Sequence, residues 1–593
     1  MKRLSTLSAL ALVSFSVLAQ EERSRPHALA PWEVPLIREY RDSRASASRG
    51  ITSLPTLPIR TMAEWEEVQS LCITWADYEG ILKQIVRAAK EECEVIIVCA
   101  DSTAVIAYLN NSQFGGPLNN LNNITFIEGD FDSIWMRDYG PESMYVNEVD
   151  SLMLMDWIYN RPRPLDDLVP DLLGTAKGIP VLSSTTAPND LVHTGGNFMA
   201  DGFGTAFSSD LVIDENGSNG SFNQSVHSAA QTDQLMTDWM GILPGRYIRM
   251  QTLPYDGIHH IDMHMKLIDE ERLLVGQFPQ GISDGPQLEA NLQDITANYN
   301  SVFNTPYEYV RIPMPSSTGG QYPPSASYRT YANNVFINGT ILVPTYRTQF
   351  DTVGLRILRE SQPGYNVIGI DCDDNGMNII SQSGAIHCIT KAIGVSDPLL
   401  IKHQALDDTY DTQNPYTVEA YIRHRSGISG AMLYWTTDTT QAYQSLAMSD
   451  IGGDNWSASI PAQPAGTEIF YYIQGTANSG KVQVRPIVAP EGYWSFRVLD
   501  NNTGIAGANA PVVIEVFPNP TDGQCMIALA PNRIDRTRIE VLDALGRRVA
   551  WLNEGFLPAD GRFFVDLGPL DAGTYYVVAT SAGGRNVLPL VKR

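Results

Sequence analysis

Two rhythms of apolar and polar positions run along this chain, and the change from one to the other divides it. Between residues 50 and 395, short β-branched runs such as Val95-Ile96-Ile97-Val98 and Ile341-Leu342-Val343 predict buried strands. They alternate with stretches of helical apolar spacing, at 81–89 and 288–298, and with Gly/Asn/Pro turns, which is an α/β pattern. From 396 to 499 the pattern shortens. Alternating runs at 416–423, 431–435, 456–460 and 469–474 are separated by Gly, Asp, Asn and Pro, and predict an immunoglobulin-like β-sandwich. Residues 500–511, rich in Asn, Gly and Ala, read as a linker, and 512–593 as a further small β unit.

The first residues follow neither rhythm. Met1-Lys2-Arg3, a mostly apolar stretch to Leu18 and the small residue Ala19 have the layout of a signal peptide over 1–19. Residues 20–49 carry Arg23, Arg25, Arg38, Arg41, Arg44 and Arg49 among scattered Pro and Ser, with no sustained periodicity, and read as a pro-segment or linker open to trimming at an arginine. No later stretch approaches the roughly 20 apolar residues that cross a bilayer, so no transmembrane segment is expected.

Charge narrows the partners. With 41 Lys+Arg against 66 Asp+Glu the net charge is −25, which disfavours nucleic acid and anionic membranes and suits cationic substrates. The six cysteines (Cys72, Cys93, Cys99, Cys372, Cys388, Cys525) show no C-x-x-C spacing, so neither a zinc site nor a dense disulfide framework is expected. Cys72, Cys93 and Cys99 lie in apolar runs and read as core. Cys388 follows the small-residue turn Ser383-Gly384-Ala385 and is set apart by its partners.

Five polar clusters interrupt the apolar runs of the α/β region: Trp135-Met136-Arg137-Asp138-Tyr139-Gly140-Pro141, His193-Thr194-Gly195-Gly196-Asn197, His259-His260-Ile261-Asp262, Tyr331-Ala332-Asn333-Asn334 and Ile386-His387-Cys388. Their anchors Asp138, Asn197, His260, Asn333 and Cys388 lie 59, 63, 73 and 55 residues apart, as if one structural unit were repeated, each copy sending a loop to a common centre.

The residue types in those loops complement one another. A guanidinium is planar and cationic with five N–H donors, and a site that holds it needs carboxylates in its plane, a role Asp138 and Asp262 can fill. Its carbon is a poor electrophile. A thiol nucleophile, Cys388, divides its hydrolysis into two easier steps through a covalent intermediate, and a neighbouring cation would lower the thiol pKa. One histidine can protonate the departing ammonia and then deprotonate water, and His260 is spaced two residues from Asp262 for that purpose. A cysteine peptidase also uses Cys and His but has no call for two substrate-facing aspartates. The histidines are too scattered for a metal-ligand set, so no metal is expected in the reaction, although the Asp/Asn-rich loop 371–378 could hold a structural cation.

Together with Ala63-Glu64-Trp65-Glu66, these motifs resemble the Porphyromonas-type peptidylarginine deiminases and the related agmatine deiminases over about 345 residues. The resemblance implies a five-bladed pseudosymmetric α/β propeller without an organic cofactor, in which Cys388 forms a thiouronium intermediate and His260 is the general acid/base. Asp138 and Asp262 would clamp the guanidinium, Asn333 would complete the polar site, and Trp135 would pack beside the aliphatic stem of the substrate. In one place the chain departs from the agmatine branch. Where that branch resembles Glu-Gly-Gly-Asn, this sequence has Thr194-Gly195-Gly196-Asn197, so a carboxylate that would orient His260 is missing.

A second feature bears on substrate. Tyr159-Asn160-Arg161-Pro162-Arg163-Pro164 sets two guanidinium forks in a proline-stiffened loop, suited to a carboxylate. By resemblance, Arg161 and Arg163 would grip the α-carboxylate of a C-terminal arginine, making peptides or proteins ending in arginine the expected partners. An agmatine or free-arginine deiminase is the alternative within the same chemistry, and a catalytically inactive exported binding protein the alternative from another class.

The last unit contains Phe517-Pro518-Asn519-Pro520-Thr521-Asp522-Gly523, Leu570-Asp571-Ala572-Gly573-Thr574-Tyr575 and a basic end, Lys592-Arg593. It resembles the C-terminal sorting domain of type IX secretion, which implies that machinery as a partner and a secreted or outer-membrane-attached product.

Overall fold

The computed structural model describes residues 25–46, 49–374, 376–499, 514–529, 537–555, 561–581 and 584–593. The expected signal peptide at 1–19 and linker at 500–511 lie outside the described residues.

The α/β region contains five separate small sheets built to one plan, an antiparallel pair followed across a helix by a parallel strand. Glu142–Val146 pairs antiparallel with Ser151–Asp156, and the chain returns through helix Val169–Lys177 to the parallel strand Val181–Ser183. The plan recurs with Met199–Ala200, Ala206–Ser209, helix Ala229–Met240 and Tyr247–Met250. It recurs again with Met265–Leu267, Arg272–Gln277, helix Gly285–Asn298 and Glu308–Pro313. The fourth copy is Val335–Ile337, Thr340–Thr345, helix Thr348–Ser361 and Asn366–Asp371.

In the fifth copy, the late strand Lys391–Gly394 pairs with the early strand Val68–Thr74, which continues through helix Glu79–Ala89 to Glu94–Cys99. None of these sheets closes on itself, so the expected propeller is represented by five like sheets rather than a continuous barrel. Their fully buried strands, such as Val95, Ile96, Ile97 and Val98 at 0% exposure, explain why the sequence shows continuous apolar runs there instead of alternation.

The repeat also explains the even spacing of the polar clusters. Each cluster immediately precedes the first strand of one sheet. Four of them form a single helical turn, at Met136–Tyr139, Gly195–Asn197, Ile261–Met263 and His387–Ile389, while Asn333 sits in a bend before Val335–Ile337. One turn is too short to show a helical period and is marked in the sequence only by its polar residues.

Beyond residue 399 the regular elements among the described residues are strands. One sheet has the order Leu400–Lys402, Tyr416–Arg423, Asn455–Ile460, Ser449–Gly452; the other is built on Ile428–Thr436 and Glu468–Ala477. Val418, Ile422, Leu433, Trp435, Ile473 and Phe496 fill the space between them. Arg485 to Glu270 (3.0 Å) and Lys481 to Glu67 (2.6 Å) tie this layer to the α/β region. The last described strands form two further sheets around Val516, Cys525, Ile527, Val541, Val577 and Leu590, with Arg356 of the α/β region paired to Glu515 (2.9 Å) and lying over the Phe517 ring. Among the described residues no helix is long and apolar enough to cross a membrane.

Of the expected pro-segment or linker at 20–49, residues 25–46 and 49 are described: Ile37–Ser46 is a helix, and the segment packs against the α/β region. Tyr40 is turned inward, and Arg44 is buried beside it against Asp167 (2.8 Å) and Asp156 (3.8 Å). A helix seated by charge and a single aromatic leaves no apolar stripe for a sequence to reveal.

Candidate active site

The one-turn helices deliver Asp138, His260, Asp262 and Cys388 into one buried cluster, with Asn333 from the fourth loop; Asp138 is 1% exposed and the others 0%. Asn333 Nδ2 donates toward Cys388 Sγ at 3.1 Å, and its Oδ1 accepts the His387 N–H at 3.0 Å. Asp262 Oδ2 lies 3.5 Å from Cys388 Sγ and 2.7 Å from His387 Nδ1. The other oxygen, Asp262 Oδ1, is buried without a hydrogen-bond partner. A buried ionised oxygen left without a donor is costly and marks a place for an N–H that the protein does not supply itself.

His387, beside the cysteine in sequence, bridges Asp262 to Glu64, which in turn pairs with Arg137 (3.1 Å) and Lys266. Burial pushes the Asp262 carboxyl up, but the hydrogen bond and charge of His387 outweigh it and hold the group below the usual aspartate range. Glu64 behaves alike: burial raises it, and His387, Lys266 and Arg137 bring it well below the ordinary glutamate value. Both are anions.

His260 sits between the two aspartates. Its Nδ1 lies 3.5 Å from Asp138 Oδ1, and its Nε2 is 3.1 Å from Thr194 Oγ1. The hydroxyl of Thr194 therefore stands where the agmatine branch is expected to have a carboxylate. Burial, opposed by Asp138, pushes the imidazole down to about 4, so it is a neutral base at pH 7. The glycines before Asn197 permit this approach: a Cβ on Gly196 would stand 2.5 Å from His260 Nδ1, and one on Gly195 2.1 Å from the Arg137 carbonyl. Asn197 itself accepts the Ser209 N–H at 2.8 Å, a structural contact.

The sequence reading expected a cationic substrate and an imidazolium to lower the Cys388 pKa; the protein's own groups act the other way. Burial, then the charges of Asp262 and Asp138, push the thiol well above its ordinary value, and no imidazolium is paired with it. All six cysteines are buried free thiols.

At the other end of the cluster Trp135 forms a wall, and a ring from the N-terminal segment covers it. His27 stacks on Trp135 with centroids 4.0 Å apart and planes 9° apart. Its Nε2 is 2.6 Å from Asp138 Oδ2 and its Nδ1 2.8 Å from the Ser383 carbonyl. A side chain on Gly384 would strike Trp135 at 2.4 Å, so glycine is what allows the 383–384 turn to close over the ring. The expected carboxylate-binding pair is also occupied from this segment. Arg161 donates from Nε to the His27 carbonyl (3.0 Å), and Arg163, 0% exposed, forks onto Glu33 through Nε (2.8 Å) and Nη2 (3.1 Å). The two arginines thus lie inside the protein, not on a basic surface turn.

His27, Glu33 and His387 were outside the sequence-derived set. His387 could have been found from its adjacency to Cys388. Nothing in the sequence couples residues 27 and 33 to a site whose nearest member lies over a hundred positions away.

His27, Asp138 and His260 are the described group with metal-ligand spacing, their ligand atoms within 4.8 Å of one another, although each already serves a hydrogen bond or close polar contact within the protein. In the 371–378 loop, Asp373 is neutralised by Arg329 (2.6 Å) and Arg347 (3.2 Å), which weakens the case for a cation there.

Residues 60–393 match the model of the Porphyromonas-type peptidyl-arginine deiminase family, and residues 515–592 that of the secretion system C-terminal sorting domain. A Vibrio parahaemolyticus protein named as an agmatine deiminase is 23% identical over 363 residues, 56% of this chain and 95% of its own length. A solved structure described as an arginine deiminase from Porphyromonas gingivalis is 22% identical with a TM-score of 0.49, covering 57% of this chain and 98% of the other. The agmatine deiminase structure from C. jejuni is 20% identical with a TM-score of 0.45, over 57% and 96%.

Proposed function

The chain belongs to the Porphyromonas-type peptidyl-arginine deiminase family, and from that premise we propose that it hydrolyses the guanidinium of a C-terminal peptidyl-arginine to citrulline and ammonia. The family acts on guanidino C–N bonds, and the sorting domain marks this member as secreted or attached at the cell surface. The finer reading rests on one observation above all. A thiol, a neutral imidazole and two carboxylates, one with an oxygen lacking any donor, converge in a buried cluster beside a flat aromatic wall.

In this reading Asp138 and Asp262 clamp the planar cation, and the Asp262 oxygen without a partner receives one of its N–H groups. The incoming positive charge offsets the two carboxylates that hold the thiol proton in place, so binding itself favours the thiolate. As Sγ bonds to the guanidinium carbon, His260 takes the thiol proton and then gives it to the departing ammonia, leaving a thiouronium. Water enters, His260 removes its proton, and the second tetrahedral adduct expels the thiolate, which recovers the proton. Asn333 holds Sγ, Trp135 flanks the stem, and no organic cofactor is required. The five like sheets would stand as blades about this cluster, giving a catalytic region of 50–395 followed by the sandwich and sorting units.

Arg161 and Arg163 favour a substrate with a carboxylate, and the present grip of Arg163 on Glu33 supports that use of its fork. The competing reading is agmatine, the substrate named for the Vibrio relative. The protein, freed of its N-terminal segment as described below, is given a peptide ending in arginine, and ammonia release with a mass gain of about one dalton is measured. Agmatine turned over in preference to the peptide overturns the C-terminal reading, and inertness toward both overturns the deiminase reading for this member.

A further inference from the structure

We infer that residues 25–46 are a built-in inhibitor that occupies the site as a non-reactive copy of a C-terminal arginine, and that separation of this segment from the rest of the chain is what switches the enzyme on. The inference rests on the deiminase reading above for the identity of the substrate being copied, and on geometry for the occupation itself.

Both ends of the substrate are imitated. At the reactive end, the two ring nitrogens of His27 face acceptors only, Asp138 Oδ2 at 2.6 Å and the Ser383 carbonyl at 2.8 Å. A carbonyl cannot donate, and the Asp138 carboxyl is held far below its usual range, burial raising it and His260 and His27 outweighing that, so it too only accepts. The ring is flat, stacked on Trp135 and in hydrogen-bond contact at its edge with the clamp carboxylate. That is the recognition a guanidinium requires. At the other end, the Glu33 carboxylate fills the Arg163 fork, where the substrate's terminal carboxylate would bind.

The imidazole ring differs from a guanidinium in the one respect that decides the outcome. Its central carbon carries no exocyclic amine, so attack by Cys388 would break aromaticity with no ammonia to expel. The copy binds and cannot be turned over.

Occupation is complete as built. His27 and Glu33 are both 0% exposed, and Cys388, His260 and Asp262 are closed to solvent beneath them. The segment is fastened at its far end by Arg44 on Asp167 and by Tyr40, whose hydroxyl donates to the Tyr159 carbonyl at 3.3 Å. Arg38, by contrast, is 86% exposed and Arg41 40% exposed, which offers an endopeptidase that cuts after arginine two accessible positions on this segment. Tethering gives the copy a high effective concentration at the site. A cut makes its binding bimolecular and subject to dilution.

The test uses the full chain with a unique protease recognition site inserted between residues 47 and 48, intact or cut, alongside intact His27→Ala and Glu33→Gln chains. Two rates are followed: labelling of Cys388 by a thiol-reactive amidine, and citrulline formation from a peptide ending in arginine. The intact chain is expected to label at least about 10-fold more slowly than the cut and diluted chain, with both variants in between. A synthetic peptide of residues 25–46 is expected to restore slow labelling to the cut chain. Equal labelling of intact and cut chains, with circular dichroism showing both folded, overturns the inhibitor inference. Fast labelling after cutting without citrulline leaves the inhibitor in place and overturns the substrate assignment, so the two failures are distinguishable.

Discussion

The two ends of the candidate site are satisfied by different means. At the thiol end every charge except one oxygen is answered from within residues 60–393: His387 bridges Asp262 and Glu64, Arg137 and Lys266 balance Glu64, and Asn333 holds the sulfur. At the entrance end Asp138, Arg161 and Arg163, besides contacts within that span such as those of Gly196 and His260 to Asp138, each take a partner from His27 or Glu33, residues outside it. In the proposed reaction, the groups that would meet the reacting atoms are thus fixed in advance, as electrostatic preorganisation requires, while those that would recognise the bound molecule are left to be completed by whatever enters. A buried charge that borrows its counter-charge must be supplied with another when the loan ends.

Breaking the thiol end should have the largest effect. Cys388→Ala is expected to remove at least about 10⁴-fold of kcat with the melting temperature retained, because the nucleophile is lost and a small buried side chain is exchanged for another. Steady-state kinetics with calorimetry checks this, and residual turnover near wild type would exclude covalent catalysis. Asp262→Asn should follow, at about 10²–10³-fold in kcat, since it removes both a clamp charge and the counter-charge of His387.

The entrance end should answer differently. With the inhibitory segment removed, Arg161→Ala and Arg163→Ala are each expected to lower kcat/KM on C-terminal arginine by about 10–100-fold, the worth of a charge-assisted hydrogen bond, and to leave agmatine turnover nearly unchanged. Equal losses on both substrates would place the arginines in support of the fold instead of in recognition. Thr194→Val should cost about 5-fold in kcat, one neutral hydrogen bond to His260, with the pH profile of kcat shifted.

The smallest effect to resolve is the pH dependence of stability. His260 titrates at about 4 when folded against an ordinary 6.5, so the unfolded chain binds the extra proton between those values, and the folded state loses stability as pH falls from 6.5 toward 4. Asp262 and Asp138, held below the usual aspartate value, add a second loss as pH falls below about 4, when they must be protonated. Melting temperatures of wild type and His260→Gln across this range should differ by the upper loss, the variant declining less between pH 6.5 and 4 while keeping the decline below it.

The residues of both ends that lie within 60–393 were legible in the sequence, and the two that cover the entrance from outside it were not. Cys388, His260, Asp262, Asp138 and Asn333 stand in short polar interruptions of apolar runs, and polarity inside a buried pattern is visible without a structure. The α/β and β-rich regions were legible for the same reason: the run at 95–98 lies within Glu94–Cys99, and the one at 416–423 coincides with Tyr416–Arg423. His27 and Glu33 lie in an arginine-rich segment that shows no period, and only tertiary packing reveals that they are buried. The raised Cys388 pKa was missed because the expectation counted the cations and omitted burial and the two adjacent carboxylates.

Strand Lys391–Gly394, which begins three residues after Cys388, pairs with Val68–Thr74 from the opposite end of the α/β region. This is among the longest chain closures in that region, and pairings of high sequence separation form slowly. Cys388, the proposed nucleophile, is consequently anchored by a late seam, and a chain in which that seam is unpaired has no assembled thiol centre whatever its N-terminal segment is doing. Pulsed alkylation during refolding should find Cys388 shielded with the slowest phase.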